Sequence, residues 1–165
     1  MTKQSEMKPL LLVLALLICI QVYSQTYKLY QTENIHNQLK LNTKTGEIYQ
    51  VQDDGQTFLV TEAKTPDNDK ENKYILQKTE NIWTFIMLDQ FSGKLWQCQF
   101  SVKGSEYRGS SEINPNELSQ TQIKNFSIQP LTSMYQFYLI NDDSGELWKF
   151  QWSTKGAEYR WIEKQ

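Results

Sequence analysis

One unit occurs three times along the chain, and this internal repeat limits the fold more than any other feature. The copies begin at the aromatic residues Tyr27, Tyr74 and Phe126. They align without a gap on a shared glycine, which is Gly46, Gly93 or Gly145. The second and third copies still match beyond it, as GKLWQCQFSVKGSEYR and GELWKFQWSTKGAEYR. A repeat of about 50 residues is typical of a supersecondary unit that buries its apolar surface against its neighbours.

The pattern within each copy is that of β-strands. Before the glycine of the first copy, Ile35, Leu39 and Leu41 alternate with polar residues, as on a half-buried strand. An Asn or Asp follows at positions 42, 89 and 141, and then a Ser or Thr precedes the glycine. Because such side chains bond to the backbone two residues on, and glycine accepts a positive φ, we predict a hairpin turn at each glycine.

Four strands are predicted in each copy. The first strands are 27–30, 74–77 and 126–129, and the strands after the hairpin turn are 48–52, 95–100 and 147–152. A second turn at Lys103-Gly104 or Lys155-Gly156 leads into fourth strands at 105–108 and 157–162. We therefore predict an all-β fold of three tandem four-stranded antiparallel meanders, at 26–62, 73–112 and 125–165, within one domain spanning 25–165. Loops are expected at 61–73 and 109–125.

The faces of the strand before the glycine predict how the copies assemble. One face is mainly apolar in every copy: Ile35, Leu39 and Leu41; Ile82, Ile86 and Leu88; Met134, Tyr138 and Ile140. The opposite face is polar only in the first copy, where it carries His36, Gln38 and Lys40. Copies two and three are thus expected to be covered on both faces and copy one on one face. This favours a face-to-face stack of sheets with copy one at an end.

The hairpins also carry a family resemblance. Residues 88–96 are LDQFSGKLW and residues 140–148 are INDDSGELW. These segments resemble the hairpin of quinoprotein-type β-propeller blades, which carries an Asp, then Thr/Ser-Gly, then a Trp. Here the Trp stands three residues after the glycine, one fewer than in those blades. The resemblance implies blade-like sheets and implies no cofactor.

Three blades are fewer than the roughly four to eight that close a propeller. The repeats could form an open stack, or two chains could pair as a homodimer with a six-unit ring. The threefold repeat could instead be a β-trefoil. The apolar second face of copies two and three favours blade-like sheets, because the barrel strands of a trefoil bury only one face.

The N-terminal residues have the organisation of a signal peptide. Lys3 and Lys8 precede an unbroken apolar run at residues 10–20, and Ser24 is a small residue at a plausible cleavage point. The run is too short for a transmembrane helix. Lipidation at Cys19 is not favoured, because Ile18 stands where a small residue is needed. We expect residues 1–24 to be removed from a secreted or periplasmic protein.

Composition excludes several functional classes. Lys+Arg number 17 and Asp+Glu number 19, and this balance does not fit a nucleic-acid-binding surface. His36 is the only histidine, and the sequence suggests no carboxylate or nucleophile beside it. Cys98 shares a strand face with Trp96 and Phe100, so we predict a small buried hydrophobe rather than a reactive thiol.

Two acidic segments could supply oxygen ligands for calcium. They are Asp53-Asp54-Gly55 and Asn141-Asp142-Asp143. Calcium takes about six to eight oxygen ligands, and neither segment recurs in the other copies. Ordinary turn chemistry is therefore the preferred interpretation, and we predict neither a metal site nor a cofactor.

Two matching segments are candidates for a binding surface. Glu106-Tyr107-Arg108 recurs as Glu158-Tyr159-Arg160. A carboxylate–guanidinium pair of this kind could bind an anion or sugar, although cross-strand pairing that fixes register is favoured. Aromatic residues near the end of each copy could add ring faces that stack on sugars or pack against a protein partner. The candidate surface comprises Tyr107, Arg108, Trp152, Tyr159, Arg160 and Trp161.

Together these observations predict an exported, non-catalytic binding protein. A protein partner is favoured, including an inhibitor- or immunity-type role, and a glycan is the alternative. An enzyme of unknown class is the minor alternative, because the sequence offers no acid–base pair. No nucleic acid partner is expected, and no membrane span is expected after signal cleavage.

The signal-peptide assignment predicts the N-terminus of the exported protein. Expression in a bacterium with an intact export pathway should yield a chain that begins at Gln25. Intact-mass spectrometry of the exported fraction measures this directly. A mass that retains residues 1–24, or one that carries lipid on Cys19, would contradict the assignment.

Overall fold

The computed structural model describes residues 25–65, 70–120 and 123–165, and the predicted signal peptide at 1–24 lies outside them. Within these ranges, twelve strands form three separate four-stranded antiparallel sheets, each in sequence order. The first sheet contains β1 (Tyr27–Gln31), β2 (Asn37–Asn42), β3 (Ile48–Gln52) and β4 (Thr57–Thr61). The second contains β5 (Tyr74–Lys78), β6 (Thr84–Asp89), β7 (Leu95–Gln99) and β8 (Gly109–Glu112). The third contains β9 (Phe126–Pro130), β10 (Gln136–Asn141), β11 (Leu147–Gln151) and β12 (Trp161–Lys164).

The predicted all-β fold of three meanders is confirmed, and the described sheets do not close into the barrel of a β-trefoil. The hairpin turns bend where the sequence places them. The side-chain oxygen of Asn42, Asp89 or Asn141 accepts a hydrogen bond from the N–H two residues later, at 3.0, 2.9 and 3.0 Å. The turn glycines that follow have φ values of 75°, 72° and 73°, a region that favours glycine.

The sheets stack face to face, with one apolar core on each side of the second sheet. The first core joins residues of the first and second sheets: Leu39, Leu41, Ile48, Val60, Tyr74, Leu76, Phe85, Met87, Trp96, Cys98 and Phe100. The second core joins residues of the second and third sheets, with Ile113 from the loop between them: Ile86, Leu88, Leu95, Ile113, Phe126, Phe137, Leu139, Trp148, Phe150 and Trp152. Strand β6 is therefore buried along its whole length and supplies alternate side chains to both cores.

Consecutive sheets are aligned by a leading aromatic residue, which we define as the first residue of a sheet (Tyr27, Tyr74 or Phe126). Tyr74 and Phe126 each lie against the turn glycine of the sheet before. A methyl group on Gly46 would come 3.3 Å from the Tyr74 ring, and one on Gly93 would come 3.1 Å from the Phe126 ring. The N–H of each of these aromatics also donates to a carbonyl of that turn, at 2.9 and 3.0 Å. The two interfaces are thus built alike.

Three apolar residues assigned to the buried strand face lie outside it. Ile35, Ile82 and Met134 stand in the turns before β2, β6 and β10, and Ile35 is 80% exposed. The shared Thr-Glu-Asn-Ile motif explains the first two. In each, the threonine hydroxyl (Thr32 or Thr79) donates to the carbonyl five residues later at 2.8 Å and closes the turn, which leaves the isoleucine in solvent.

Among the residues that the structure describes, the third sheet is covered on one face only, which corrects the expectation that copies two and three are both covered on two faces. Phe137 and Leu139 point into the second core, whereas Tyr138 and Ile140 are half-buried on the outer face. A stack of three sheets has two ends, and apolar patterning alone does not show which sheet lies at the second one.

The fourth strands of the second and third sheets begin later than predicted. Residues Ser105–Tyr107 and Ala157–Tyr159 form short 3-10 turns, and the strands start at Gly109 and Trp161. Part of the segment expected to be a loop, 109–125, is therefore strand β8. Each turn is closed by a backbone hydrogen bond, from Arg108 to Ser105 or from Arg160 to Ala157, both at 3.0 Å. The carboxylate of Glu106 or Glu158 lies over the preceding glycine, where a β-carbon would overlap it. None of the described residues forms a helix long and apolar enough to cross a bilayer.

The two-sided burial of β6 predicts a sharp contrast between two charge substitutions. Leu88→Asp places an unpaired carboxylate in the second core, where Leu88 is 0% exposed, and should cost several kcal/mol, about 3 or more. Lys40→Asp acts on the solvent side of the first sheet and should cost less than about 1 kcal/mol, since it removes only contacts of Lys40 with two tyrosine rings. Urea unfolding of both variants provides the measurement. Equal destabilisation by the two changes would show that the faces are misassigned.

Candidate functional site

The second and third sheets contain the same return loop between their third and fourth strands, at residues 100–108 and 152–160. In both, a serine hydroxyl (Ser101 or Ser153) accepts from the lysine N–H two residues on, at 3.0 Å. A third-strand glutamine donates to the tyrosine carbonyl of each loop at 3.1 Å. The arginine N–H then closes the 3-10 turn at 3.0 Å. The repeated sequence therefore builds one loop twice and positions an arginine at the end of each, Arg108 and Arg160.

Arg108 seals the junction between the first and second sheets. Its Nε donates to Gln50 Oε1 at 3.2 Å and to the Ser101 carbonyl at 3.0 Å. Its guanidinium carbon lies 4.4 Å from the centre of the Phe58 ring. Phe58 is the cross-strand partner of Gln50, so a single pair of neighbouring strands supplies both contacts. This junction is filled, because Gln50 accepts a hydrogen bond from the arginine and the Phe58 ring packs against its guanidinium group.

The corresponding junction between the second and third sheets is open. The residue equivalent to Gln50 is Gln97, but its cross-strand partner is Ser111 in place of the phenylalanine. Gln97 Oε1 accepts instead from the Ser153 N–H at 3.1 Å. Arg160 Nη1 donates to the Glu112 carbonyl at 3.3 Å, and its buried Nε has no hydrogen-bond partner among the described residues. The missing ring leaves room for a groove.

We call this space the second groove because it lies at the second junction, between the second and third sheets. Its volume is about 470 Å³. Its walls come from β7, β8 and the two return loops. The lining residues are Gln97, Gln99, Glu106, Tyr107, Arg108, Gly109, Ser110, Ser111, Ser153, Thr154, Lys155, Gly156 and Arg160. Amides, hydroxyls and guanidinium groups dominate this lining, so the groove is suited to a polar ligand rather than an apolar one.

Charge in the second groove is opposite in sign to that of the whole chain. Arg108, Lys155 and Arg160 line it, and Glu106 is the acidic lining residue. The chain as a whole carries a formal charge of −2. Because a concave wall of one sign focuses the field, the groove attracts anions on a protein that otherwise repels them.

The structure brings together three of the six residues of the predicted binding surface. Tyr107, Arg108 and Arg160 line the second groove. Tyr159 is 48% exposed on the same return loop but is not part of the lining. Trp161 lies on the outer face of the third sheet, beside Lys149.

Trp152 has no surface to offer a partner, because it is fully buried in the second core. Its indole N–H donates to the Met134 carbonyl at 3.0 Å, and its ring packs against Tyr135 at 5.1 Å between centroids. Because Trp152 stands near the end of its copy, the sequence predicts that it lies on an exposed edge strand. The structure instead places it inside the second core, at the start of the return loop.

Sequence reasoning missed Gln97, Ser111 and Lys155 as groove residues. The available signal was the exchange of Phe58 for Ser111 at equivalent cross-strand positions, but finding it requires the register of the fourth strand. That register differs from the predicted one, since the 3-10 turn delays the strand. The cross-strand pairing favoured for the Glu-Tyr-Arg segments is also wrong for their arginines, because Arg108 and Arg160 donate to Gln50 and to the Glu112 carbonyl of the preceding sheet.

His36 lies in the turn before β2, not on the strand face. Its Nδ1 is 2.9 Å from Asp53 Oδ2, and the two side chains are 73% and 60% exposed. An orienting carboxylate is therefore present, contrary to expectation. No nucleophilic side chain within 25–65, 70–120 and 123–165 hydrogen-bonds to the ring, so the pair is a solvated surface interaction.

The acidic segments are bonded as turns. Asp54 Oδ1 accepts from the Gln56 N–H at 3.0 Å, and Asn141 Oδ1 accepts from the Asp143 and Ser144 N–H groups at 3.0 and 3.1 Å. In the part of the chain that the structure describes, no cluster of three His, Cys, Asp or Glu side chains is placed to hold a metal ion.

Cys98 is buried in the first core, as the sequence predicts. It is 1% exposed, and burial away from water raises the pKa of its thiol to about 12. The thiolate is the reactive form, so almost none of it exists near neutral pH. Cys98 acts as a small apolar side chain between the first two sheets.

Comparison with known proteins identifies the architecture but no family. No protein-family model matches the chain, and no curated protein matches it. One solved structure that it resembles is an auxiliary nutrient binding protein from Bacteroides thetaiotaomicron, with a TM-score of 0.50 and 8% sequence identity. The match covers 81% of this chain and 34% of that protein, so this chain spans about a third of the neighbour's length. At this identity the likeness shows the fold alone.

Burial of Cys98 predicts that the folded protein resists thiol reagents. At about pH 8 its thiol stays protonated because the pKa is about 12, so iodoacetamide should label native protein at a small fraction of the rate seen in guanidinium. Mass spectrometry after a timed exposure gives both rates. Equal labelling of native and unfolded protein would contradict the burial.

Proposed function

We propose that the protein is an exported, non-catalytic module that binds an acidic saccharide in the second groove. The observation that carries the proposal is the contrast between two equivalent junctions. Arg108 Nε has two acceptors at the first junction, whereas Arg160 lines the open second groove and its buried Nε has no acceptor among the described residues. A buried donor without a partner is costly, so a turn of the Arg160 side chain that brings this Nε to a ligand oxygen would be favourable.

The guanidinium of Arg160 defines the charge of the proposed ligand. A carboxylate accepts two parallel hydrogen bonds from a guanidinium, and charge-assisted bonds of this type are about twice as strong as neutral ones. Lys155 adds a second cation on the same return loop. A ligand carboxylate would therefore be held between Arg160 and Lys155.

The remaining lining is suited to hydroxyl groups. The amides of Gln97 and Gln99 and the hydroxyl of Ser111 can both donate and accept hydrogen bonds. The Ser110 hydroxyl is instead bonded to Thr61 and Lys64. Tyr107 is 50% exposed at the rim and offers a ring face of the kind that packs against sugars. A volume of about 470 Å³ lies within the range of about 300–1,000 Å³ for small-molecule sites.

Two further points support a binding role. The structural neighbour is named as an auxiliary nutrient binding protein, and a saccharide is one kind of nutrient. The signal-like sequence at 1–24 would deliver the chain to a compartment where such ligands occur. Catalysis is not part of the proposal, because the second groove contains no histidine and its one carboxylate, Glu106, has no acidic partner beside it.

A second candidate function is binding to a protein partner. The outer face of the first sheet favours it, because Tyr27, Leu29 and Leu59 are between 44% and 62% exposed there. Exposed apolar groups that share one sheet face are a common feature of interaction surfaces. An inhibitor- or immunity-type role would use this face rather than the second groove.

Calorimetric titration with trigalacturonate tests the saccharide proposal. We expect binding to trigalacturonate and binding at least about tenfold weaker to its methyl ester, which removes the charge but keeps the size. Arg160→Gln should weaken trigalacturonate binding by about tenfold or more, because it removes a charge-assisted hydrogen bond.

Two control variants accompany this titration. Lys103→Gln makes the same charge change at the equivalent of Lys155 in the other return loop, outside the groove lining, and should leave the affinity unchanged. Leu29→Lys alters the outer face of the first sheet and should also have no effect on saccharide binding. If neither trigalacturonate nor a sulfated disaccharide binds, the saccharide function is wrong and the protein-partner function takes its place.

A further inference from the structure

The two junctions between sheets are built in the same way, from a leading aromatic residue and a turn glycine. Each end of the stack presents one of these two components without the other. At both internal junctions a leading aromatic residue covers a turn glycine. At the free ends, Tyr27 occupies the leading position of the first sheet, and it is 51% exposed. Gly145 is the turn glycine of the third sheet, and a β-carbon added to it would meet nothing within 4 Å. One end thus presents the aromatic residue and the other presents its glycine.

The equivalence of these positions rests on strand register, not only on sequence alignment. Tyr27 pairs across the sheet with Asn42, Tyr74 with Asp89, and Phe126 with Asn141. Each partner is the residue that begins the glycine turn of its own sheet. The three leading aromatics therefore occupy the same site in three sheets, and only Tyr27 lacks a preceding sheet among the described residues.

The outer face of the third sheet continues the same pattern. Tyr138, Ile140 and Leu147 hold the positions of Ile86, Leu88 and Leu95, which the third sheet covers in the second core. All three are only half-buried at the end of the stack. The outer face of the third sheet is therefore as apolar as the face of the second sheet that the third sheet covers. Within residues 25–65, 70–120 and 123–165, no sheet covers it.

Charge at the two ends is complementary. At the first junction, Arg108 of the return loop meets Gln50 of the preceding sheet. The third sheet has Lys149 at the position of Gln50, and the first sheet has the short turn Asp53-Asp54-Gly55 where the others have a return loop. At this junction the cation would lie on the preceding sheet, as Lys149, and its polar partners would lie on the following sheet. A junction between these ends would therefore pair Lys149 with the carboxylates of Asp53 and Asp54.

We propose that a second copy of this chain docks head to tail, with its first sheet on the outer face of the third sheet. The leading Tyr27 of each copy covers Gly145 of the other, and Tyr138, Ile140 and Leu147 pack against Leu29, Tyr49 and Val51. Two chains joined in this way present six sheets in a cycle, within the roughly four to eight blades that close a propeller. The dimer is symmetric, since residue 27 of each copy contacts residue 145 of the other.

Sedimentation velocity over a series of protein concentrations tests the association. The wild-type chain should approach twice the monomer mass as concentration rises. Tyr27→Lys and Tyr138→Lys should each reduce it to monomer, because each places a lysine in the proposed contact. Ile82→Lys is the matched control, since Ile82 is 43% exposed but lies in a turn of the second sheet, which forms neither end of the stack, and this variant should remain a dimer.

Mixing the variants separates head-to-tail docking from other arrangements. A mixture of Tyr27→Lys and Tyr138→Lys chains should regain dimer, because Tyr27 of one chain and Tyr138 of the other still form one intact junction. Unchanged circular dichroism spectra would show that both variants fold. A wild-type chain that is monomeric at every concentration overturns the proposal, and so does a Tyr138→Lys chain that still dimerises, because the first sheets would then pair with each other.

Discussion

The contact on which the stack depends is an aromatic ring lying against a turn glycine of the preceding sheet. Tyr74 on Gly46 and Phe126 on Gly93 set how far one sheet slides across the next, and backbone hydrogen bonds from the same residues fix the direction. Any larger residue at the glycine would meet the ring and would also be strained by the positive φ. Once this alignment is set, the apolar faces of neighbouring sheets meet and the two cores follow. The return loops also come to lie side by side at one edge, where they form the second groove.

The repeat creates a site by differing at one position rather than by adding a new element. Both junctions contain the same loop and the same arginine, yet Phe58 fills one and Ser111 leaves the other open. The difference lies in the contacts of the guanidinium: Arg108 has two acceptors for its Nε and an aromatic ring, whereas Arg160 has the Glu112 carbonyl and a buried Nε with no acceptor among the described residues. The same structural solution is thus closed by an aromatic ring at one junction and left open as a groove at the other.

Sequence analysis predicted the sheets, their order and the hairpin turns, because alternation and the Asn/Asp-to-glycine turn are local signals. It also predicted burial of Cys98, which shares a strand face with large apolar residues. The prediction for the return loops was wrong, because Lys-Gly indicates a tight turn that leads directly into a strand, whereas a 3-10 turn at Ser105–Tyr107 or Ala157–Tyr159 comes first. The error propagated, because a delayed fourth strand changes which residues are cross-strand partners. Trp152 was misplaced for the same reason, and the groove residues Gln97 and Ser111 were not recognised. Periodicity gives the face of a strand but not the identity of what covers it.

Strand β6 has a thermodynamic consequence that follows from its position between two cores. Its odd and even side chains are buried in different cores, so it has no solvent side from which fraying could begin. Exposing its amides requires its hydrogen bonds to β5 and β7 to break, and releasing its side chains requires loss of the packing against both the first and the third sheets. Edge strands such as β1 can detach at the cost of a few contacts, but the opening of β6 approaches the cost of unfolding the whole molecule. The centre of the chain therefore acts as the cooperative unit that couples its two halves.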